Sequence, residues 1–430
     1  MLGLSSPTVS WKSLTLAWGE GVEFEFLNQR WRFRLTPYRW VMAAVVIVAA
    51  LVMLYRLCVG LGPTTNLNDQ WPWGWWIAFD VLSGVALAAG GYTTALIVYV
   101  LNRRHFKPVA RAALITSMLG YIIVVVGLFM EIGRWYNFWR PFLIYPGGWH
   151  SILFEVFWCV SCYTVVQVLE FGHIFFEKVR YPWLARLFNR VLPALFIIGV
   201  ALPTMHQSGL GALYIAMIDR LNPLWWSLLL PVFFWLSSFF VGPAMCVVEG
   251  ALSGKAYGRS LETPVLGNLV RVSMVAMIVY LALKVVDLSY RGHLADLFSG
   301  TTASYLCLLE LVGGVLVPLV LYALPRVRTS SRGLLTASGL VVGGVLLNRF
   351  NVVFTGMAQA LDGWYFPAWT ELVVTAGLVC LAVLIYCFIV ENFAIFAGHS
   401  RRAAEAGRAA ATPVSRPASA ALIEQPRAAS

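Results

Sequence analysis

The sequence predicts an all-α protein that crosses a membrane about ten times. Three observations carry that expectation. Hydrophobic residues make up 60% of the chain and charged residues only 12%, against roughly 25% charged in an average soluble domain. The apolar residues gather into ten long runs, each near or above the ~20 residues that cross a ~30 Å hydrocarbon core. Lys and Arg crowd every second connection between those runs, the bias expected of an inserted multi-span chain.

Taken in order, the runs cover about 40–60, 75–101, 111–133, 151–174, 189–214, 224–250, 266–289, 303–323, 333–350 and 369–395. The second, fourth, fifth and tenth are long enough to tilt or protrude. Residues 1–39 are polar and hold no apolar h-region, so no cleavable signal peptide is expected. Three parts follow: an N-terminal segment 1–39, a transmembrane domain 40–395, and a tail 396–430 whose Ala, Arg, Pro and Ser content predicts disorder. Of 31 Lys and Arg residues, 24 fall in the N-terminal segment, the even-numbered loops and the tail. That places both termini in the cytoplasm. The net charge of +11 then reads as membrane anchoring beside lipid, with no need for nucleic acid.

The odd-numbered loops are poor in charge and rich in aromatics. They include Trp71, Trp73, Trp75 and Trp76, then Arg134-Trp135-Tyr136-Asn137-Phe138-Trp139, Gly147-Gly148-Trp149, Trp225-Trp226, and Trp364-Tyr365-Phe366-Pro367-Ala368-Trp369. An interfacial aromatic belt accounts for most of them. The surplus over the basic side predicts a surface that docks a partner.

Ionisable residues inside the spans form a layer. At 1.5 Å per residue, Asp80, Glu131, Arg134, Glu155, His206, Asp287, Glu310, Arg349 and Glu371 all fall near the outer ends. Glu170, His173, Glu249 and Glu391 form a sparser set at the opposite ends. Singly, each reads as a snorkelling side chain or a structural ion pair. Together, the outer set predicts a polar pocket just below the outer surface. The stretch Leu202–Tyr214 stands at its centre. It sets Thr204, His206, Gln207 and Ser208 side by side, between Pro203 and the helix-loosening Gly209 and Gly211.

The chain shows no redox centre of its own. A bis-histidine haem needs two His at one level on facing helices. Only His173 and His206 of the six His lie within spans, at opposite ends, so no haem is expected. The seven Cys all fall within spans, and Cys159 and Cys162 read as packing residues. No iron–sulfur, Walker or dinucleotide pattern is present, and no metal site is expected. A pocket of His, Gln, Arg, Asp and aromatics suits a lipid-soluble quinone, whose ring needs stacking walls and whose carbonyls need donors. The quinone-binding candidates are His206, Gln207, Arg134, Arg349, Asp80 and Trp73. Asp80, Glu131 and Glu155 are the candidates for proton transfer; Glu155, apolar on both sides, would hold and pass on a proton if buried. A proton or ion transporter without a quinone is the alternative, favoured by the ladder from Glu155 towards Glu170 and Glu249.

Several blocks, in order, resemble the NrfD/PsrC-like family of quinone-interacting membrane subunits. They are Gly60-Leu61-Gly62, Leu67-Asn68, Pro72-Trp73-Gly74, Trp76-Ile77-Ala78-Phe79-Asp80, Gly133-Arg134, Leu153-Phe154-Glu155, Leu169-Glu170-Phe171, Leu202-Pro203-Thr204-Met205-His206-Gln207-Ser208 and Tyr365-Phe366-Pro367. Within the family the likeness points to hydrogenase-2 type (HybB-like) subunits, with DsrP-like subunits second. The resemblance implies two four-helix bundles plus peripheral helices. It implies a bacterial inner-membrane location, a periplasmic ferredoxin-like iron–sulfur subunit with catalytic subunits beyond it, and exchange of electrons with menaquinone or ubiquinone. It also implies a proton route at Glu155. The sequence departs from the hydrogenase pattern at Glu131, where an Asp is usual.

Overall fold

The computed structural model describes residues 21–27, 29–71, 73–143, 151–179, 181–361 and 363–396. The tail beyond Phe396, the first twenty residues, Pro72 and the Gly147-Gly148-Trp149 motif lie outside the described residues. Among the described residues, ten helices are long and apolar enough to span a membrane. They are α1 (Pro37–Val59), α2 (Trp76–Val100), α3 (Arg104–Glu131), α4 (Ile152–Val179), α5 (Pro182–Ile215), α6 (Leu230–Tyr257), α7 (Thr263–Tyr290), α8 (Thr302–Ala323), α9 (Ser331–Ala358) and α10 (Trp369–Asn392). The protein is thus an all-α, multi-pass membrane protein, as the apolar runs predict.

Local chemistry sets the ends of these helices. Proline occupies the first turn of α1, α5, α6 and α7, where its missing N–H costs nothing and its φ suits the helix. Gly258, with φ +63°, closes α6 in the left-handed conformation. Helix α6 begins at Leu230 rather than near residue 224. The preceding Trp225 turns back into the core, where its indole donates to Glu310 at 3.0 Å. Helix α9 runs on to Ala358, past the expected end near 350, through a π-helical turn at Asn351–Thr355. Asp80 and Glu310 also lie in π-helical stretches, Trp76–Ser83 and Leu309–Leu316. Such wide turns re-aim side chains and recur at functional sites.

Helices α2 to α5 pack in a closed ring, and α6 to α9 pack in a second. The rings meet where α2 lies against α6 and α9, and α5 lies against α6. Accordingly α2 is the most interior helix, with 83% of its most apolar window buried, and α1 the least, with 17%. Helices α1 and α10 pair with each other and lean on α3. Their crossing is close: a Cβ added to Gly377 would collide with the Ala49 Cβ. Helices α8 and α9 cross at Gly314 and Gly344, each with the other's backbone where a side chain would stand.

A short antiparallel hairpin, β1 (Val22–Phe26) and β2 (Gln29–Phe33), caps the Lys/Arg-rich end. Trp31 stacks on Phe388 at 5.7 Å, and Lys178 Nζ sits 4.0 Å over the indole. The Arg39–Glu391 ion pair at 2.5 Å, with both side chains nearly buried, ties α1 to the end of α10.

Candidate functional site

At the aromatic-rich end of the first bundle lies a cavity of about 390 Å³. Helix α2 contributes Ile77, Val81 and Leu82, α3 Val124 and Leu128, α4 Val156 and Val160, and α5 Leu210 and Leu213. Trp73 and Tyr214 close one side, with ring centroids 5.1 Å apart in an edge-on contact. The walls are nearly all apolar. The Tyr214 hydroxyl is fully buried and has no hydrogen-bond partner among the described residues. A buried polar group left unpaired costs about 1–3 kcal/mol, so this phenol, whose ring forms part of the wall, would gain from a ligand or water brought within its reach.

A polar column runs inward from the cavity floor. His206 Nε2 lies 2.6 Å from the Tyr121 hydroxyl. The Tyr163 ring stands edge-on to Tyr121 at 4.6 Å and 5.9 Å from the imidazole. Gln167 Nε2 donates to the Tyr163 hydroxyl at 2.9 Å and to Ser117. Ser117, Thr116 and Glu249 line a further gap of water size, about 10 Å³. Glu249, held by the Tyr386 hydroxyl, also lines a cavity of about 40 Å³ that reaches Arg259 and Phe396 at the basic end. All four central groups, Tyr121, Tyr163, Gln167 and His206, are buried.

The expected single outer pocket resolves into two polar clusters. The first joins α1, α2, α3 and α10. Asp80 accepts from Thr375 at 2.7 Å through one oxygen; the other has no partner. Gly127 leaves room for it, since an added Cβ would meet that of Asp80 at 2.7 Å. The Glu131 carboxylate lies by the Gly74 backbone with no side-chain donor among the described residues, and there Arg56, fully buried, donates only to the Ile132 carbonyl, at 2.6 Å. Glu371 is fully satisfied: it accepts from Tyr365 at 2.6 and 2.7 Å and from Ala368 N at 2.8 Å. Burial, and then the Glu371 carboxylate beside it, push the Tyr365 phenol well above its ordinary value. The second cluster, around Glu310, Arg349 and Lys284, fills the second bundle. Between the two runs an aromatic ladder: Trp75 stacks on Phe79 at 5.6 Å and on Phe350 at 5.3 Å.

Of the residues singled out from sequence, only Trp73 lines the cavity. His206 lies one turn below Leu210 in the column. Gln207 ties α5 to α2 by donating to the Val85 carbonyl at 3.0 Å. Asp80 faces α3 and α10, because the cavity takes Ile77 and Val81 from the neighbouring face of the same helix. Arg134 is exposed beyond the end of α3. Arg349 belongs to the second bundle and pairs with neither Asp80 nor Glu371. Glu155 is exposed, which corrects the expectation of burial. The inward stripe of α4 is Val156, Val160, Tyr163, Gln167 and Glu170, and Glu155 lies about 100° off Val156. Tyr121, Tyr163, Tyr214 and Arg56 were not singled out. A tyrosine in an apolar run reads as packing, and only the partners reveal otherwise.

A haem does not fit the described histidines. His206 pairs with Tyr121, His173 bonds the Glu170 carbonyl at the basic end, His293 pairs with Asp296 at the surface, and His105 is exposed against Phe106.

Comparison with known proteins agrees with this architecture. The chain is 34% identical over 375 residues to a protein of Nitratidesulfovibrio vulgaris Hildenborough, covering 85% of this chain and 96% of that protein. It is 31% identical over 352 residues to the probable Ni/Fe-hydrogenase 2 b-type cytochrome subunit of Escherichia coli K12, covering 81% and 89%. It is 28% identical over 377 residues to the integral membrane subunit of menaquinone reductase, also from Nitratidesulfovibrio vulgaris Hildenborough, covering 80% and 87%. The family model described as polysulphide reductase, NrfD matches residues 63–360, from the loop before α2 to the end of α9. With both bundles inside that match, the chain belongs to the NrfD family of integral membrane proteins.

Proposed function

We propose that this chain is the quinone-reactive membrane subunit of an oxidoreductase complex, and that the first-bundle cavity is its quinone site. The observation that carries the reading is the unpartnered Tyr214 phenol at the wall of a largely apolar cavity. About 390 Å³ lies within the 300–1,000 Å³ common for small-molecule sites. The relatives' names support it, one being a menaquinone reductase subunit and one a hydrogenase subunit. Reduction of a bound quinone takes two electrons and two protons.

The chain's own residues would do the rest. Tyr214 donates to a carbonyl oxygen and fixes the ring against Trp73. The aliphatic side chains of α3, α4 and α5 exclude water and accept the isoprenoid tail. His206 and Tyr121 stand at the floor, where a proton can pass towards the ring. Gln167, Ser117, Thr116 and Glu249 continue the column to the basic end. Asp80 and Glu131, with Arg56 as counter-charge, would exchange protons with the aromatic end. Glu155, at the cavity rim beside Phe154 and Val156, would serve at the protein surface. An iron–sulfur subunit would dock on the aromatic end, where Tyr136, Phe138, Trp139, Trp364, Phe366 and Trp369 are exposed. That end is then periplasmic and both termini are cytoplasmic.

The test is Tyr214→Phe in the assembled complex. Quinone turnover should fall about five- to thirty-fold, the effect of losing one donor worth 1–2 kcal/mol, while donor oxidation with a soluble dye persists. Wild-type quinone affinity and turnover in that variant would refute the site. A transporter without a quinone is favoured by the continuity of the polar column alone. A quinone co-purifying with the complex would exclude it.

A further inference from the structure

The second bundle holds a buried charge outside the cavity. Glu310 accepts three hydrogen bonds, from the Trp225 indole at 3.0 Å, Asn348 Nδ2 at 2.7 Å and Asn351 Nδ2 at 3.0 Å. Asn348 in turn accepts from Arg349 Nη1 at 2.6 Å. Arg349 is 1% exposed and also donates to Ser237 Oγ at 2.8 Å and the Phe234 carbonyl at 3.3 Å. Among the described residues no carboxylate forms an ion pair with it, and its Nε has no partner. A buried guanidinium with no touching anion keeps its field in a medium of low dielectric. That field reaches towards the first bundle. The guanidinium carbon lies 3.7 Å from the Phe234 ring centroid, and Phe234 meets Tyr214 with centroids 6.1 Å apart. Phe234 thus neighbours both Arg349 and the Tyr214 ring at the cavity wall.

We propose that Arg349 is a positioning residue that works from the second bundle through Phe234 and Tyr214, stabilising negative charge on a quinol held in the cavity. The inference rests on the cavity being the quinone site. The reaction read is a single proton transfer: a bound quinol loses one O–H proton to solvent and becomes a monoanion, which a nearby cation favours. The opposing charge is Glu310, one Asn side chain away from Arg349. The other charged or titratable groups facing Arg349 are Tyr280 on α7 and Tyr214 on α5. Further off on α7, Lys284 donates to the Leu224 carbonyl at 2.8 Å, and Asp287 is paired with Arg291 at 2.7 Å. Among the described residues helix α6 presents no charged group, only the Phe234 ring and carbonyl and Ser237, and on α2 Asp80 faces away, towards α3 and α10.

The experiment adds the quinol of 2-methyl-1,4-naphthoquinone, without oxygen, to the full-length protein purified with its associated subunits. The absorbance of the bound quinol is followed as pH is raised. Arg349→Gln should raise the proton affinity of the bound quinol about tenfold, one pKa unit. Glu310→Gln should lower it by a comparable factor, and Arg349→Lys should stay near the wild type. Loss of packing alone does not give shifts of opposite sign. Shifts of the same sign, or none, overturn the proposal. If Arg349→Gln does not assemble, the Glu310→Gln direction decides: a lowered affinity supports the role and an unchanged or raised one overturns it. Failure of the wild-type protein to bind the quinol would sink the cavity assignment and the inference together. Binding without a charge-dependent shift would sink the role of Arg349 alone.

Discussion

His206 shows what one side chain does once its neighbours are known. It is fully buried, bonded to Tyr121 and flanked by Tyr163, so its place is in the column below the cavity. Tyr121→Phe removes the hydroxyl and leaves the ring packing. Quinone should still bind to this variant, while proton-coupled turnover falls on the order of 10²-fold, the low end of a general acid–base contribution. Unchanged turnover with normal proton movement would take the column out of the mechanism. Tyr365 carries a second prediction. Its phenol donates to both Glu371 oxygens, and its folded-state pKa is raised by burial and by that carboxylate. A raised pKa means that the stabilisation is fully present below the unfolded value of about 10 and fades as pH rises beyond it. Thermal stability should therefore drop above about pH 10 more steeply in the wild type than in Tyr365→Phe. Below that pH the variant should be the less stable by about 1–3 kcal/mol. Parallel alkaline profiles would show that the pair contributes nothing.

Helix crossings decide which substitutions the scaffold tolerates. A Cβ added to Gly344 would collide with the backbone of Gly314, whereas one added to Gly343, next to it, meets nothing within 4 Å. Gly344→Ala must push α8 from α9 and should cost about 1–3 kcal/mol, the usual penalty for overpacking. Gly343→Ala fills open space and favours the helix by up to about 1 kcal/mol. The yield and melting temperature of the two purified variants should differ in that order. Equal values would mean that the crossing adjusts freely. The same contrast explains why the apolar runs located the helices without ordering them. A run records how apolar a helix is; which small residue meets which lies in the pairing.

For the whole molecule, the aromatic end is the surface proposed to dock a partner. Exposed Tyr136, Phe138, Trp139, Trp364, Phe366 and Trp369 lie on its loops, and large aromatics are favoured in interface cores. Photo-cross-linkers at positions 136 and 366 should capture an iron–sulfur subunit, and cross-linkers at 103 and 326 should not. Capture only at the latter pair would place the partner on the basic end. Read from sequence, this surface is overstated: Trp71, Trp76 and Trp225 are buried, with Trp76 donating to the Glu371 backbone carbonyl and Trp225 to the Glu310 carboxylate.

Composition and apolar runs were enough for the all-α class, the ten spans and the concentration of charge at their ends. Each of these rests on properties within one helix, where the cost of polar groups in hydrocarbon acts locally. The family was also legible, in ordered blocks from Gly60 to Pro367. The site was only partly legible. Asp80 and Ile77 are neighbours on one helix, yet one faces α10 and the other the cavity; Glu155 and Val156 differ in the same way. Which face of a helix turns inward depends on its neighbours, and those are set only where the first bundle closes around the cavity and α10 packs beside it.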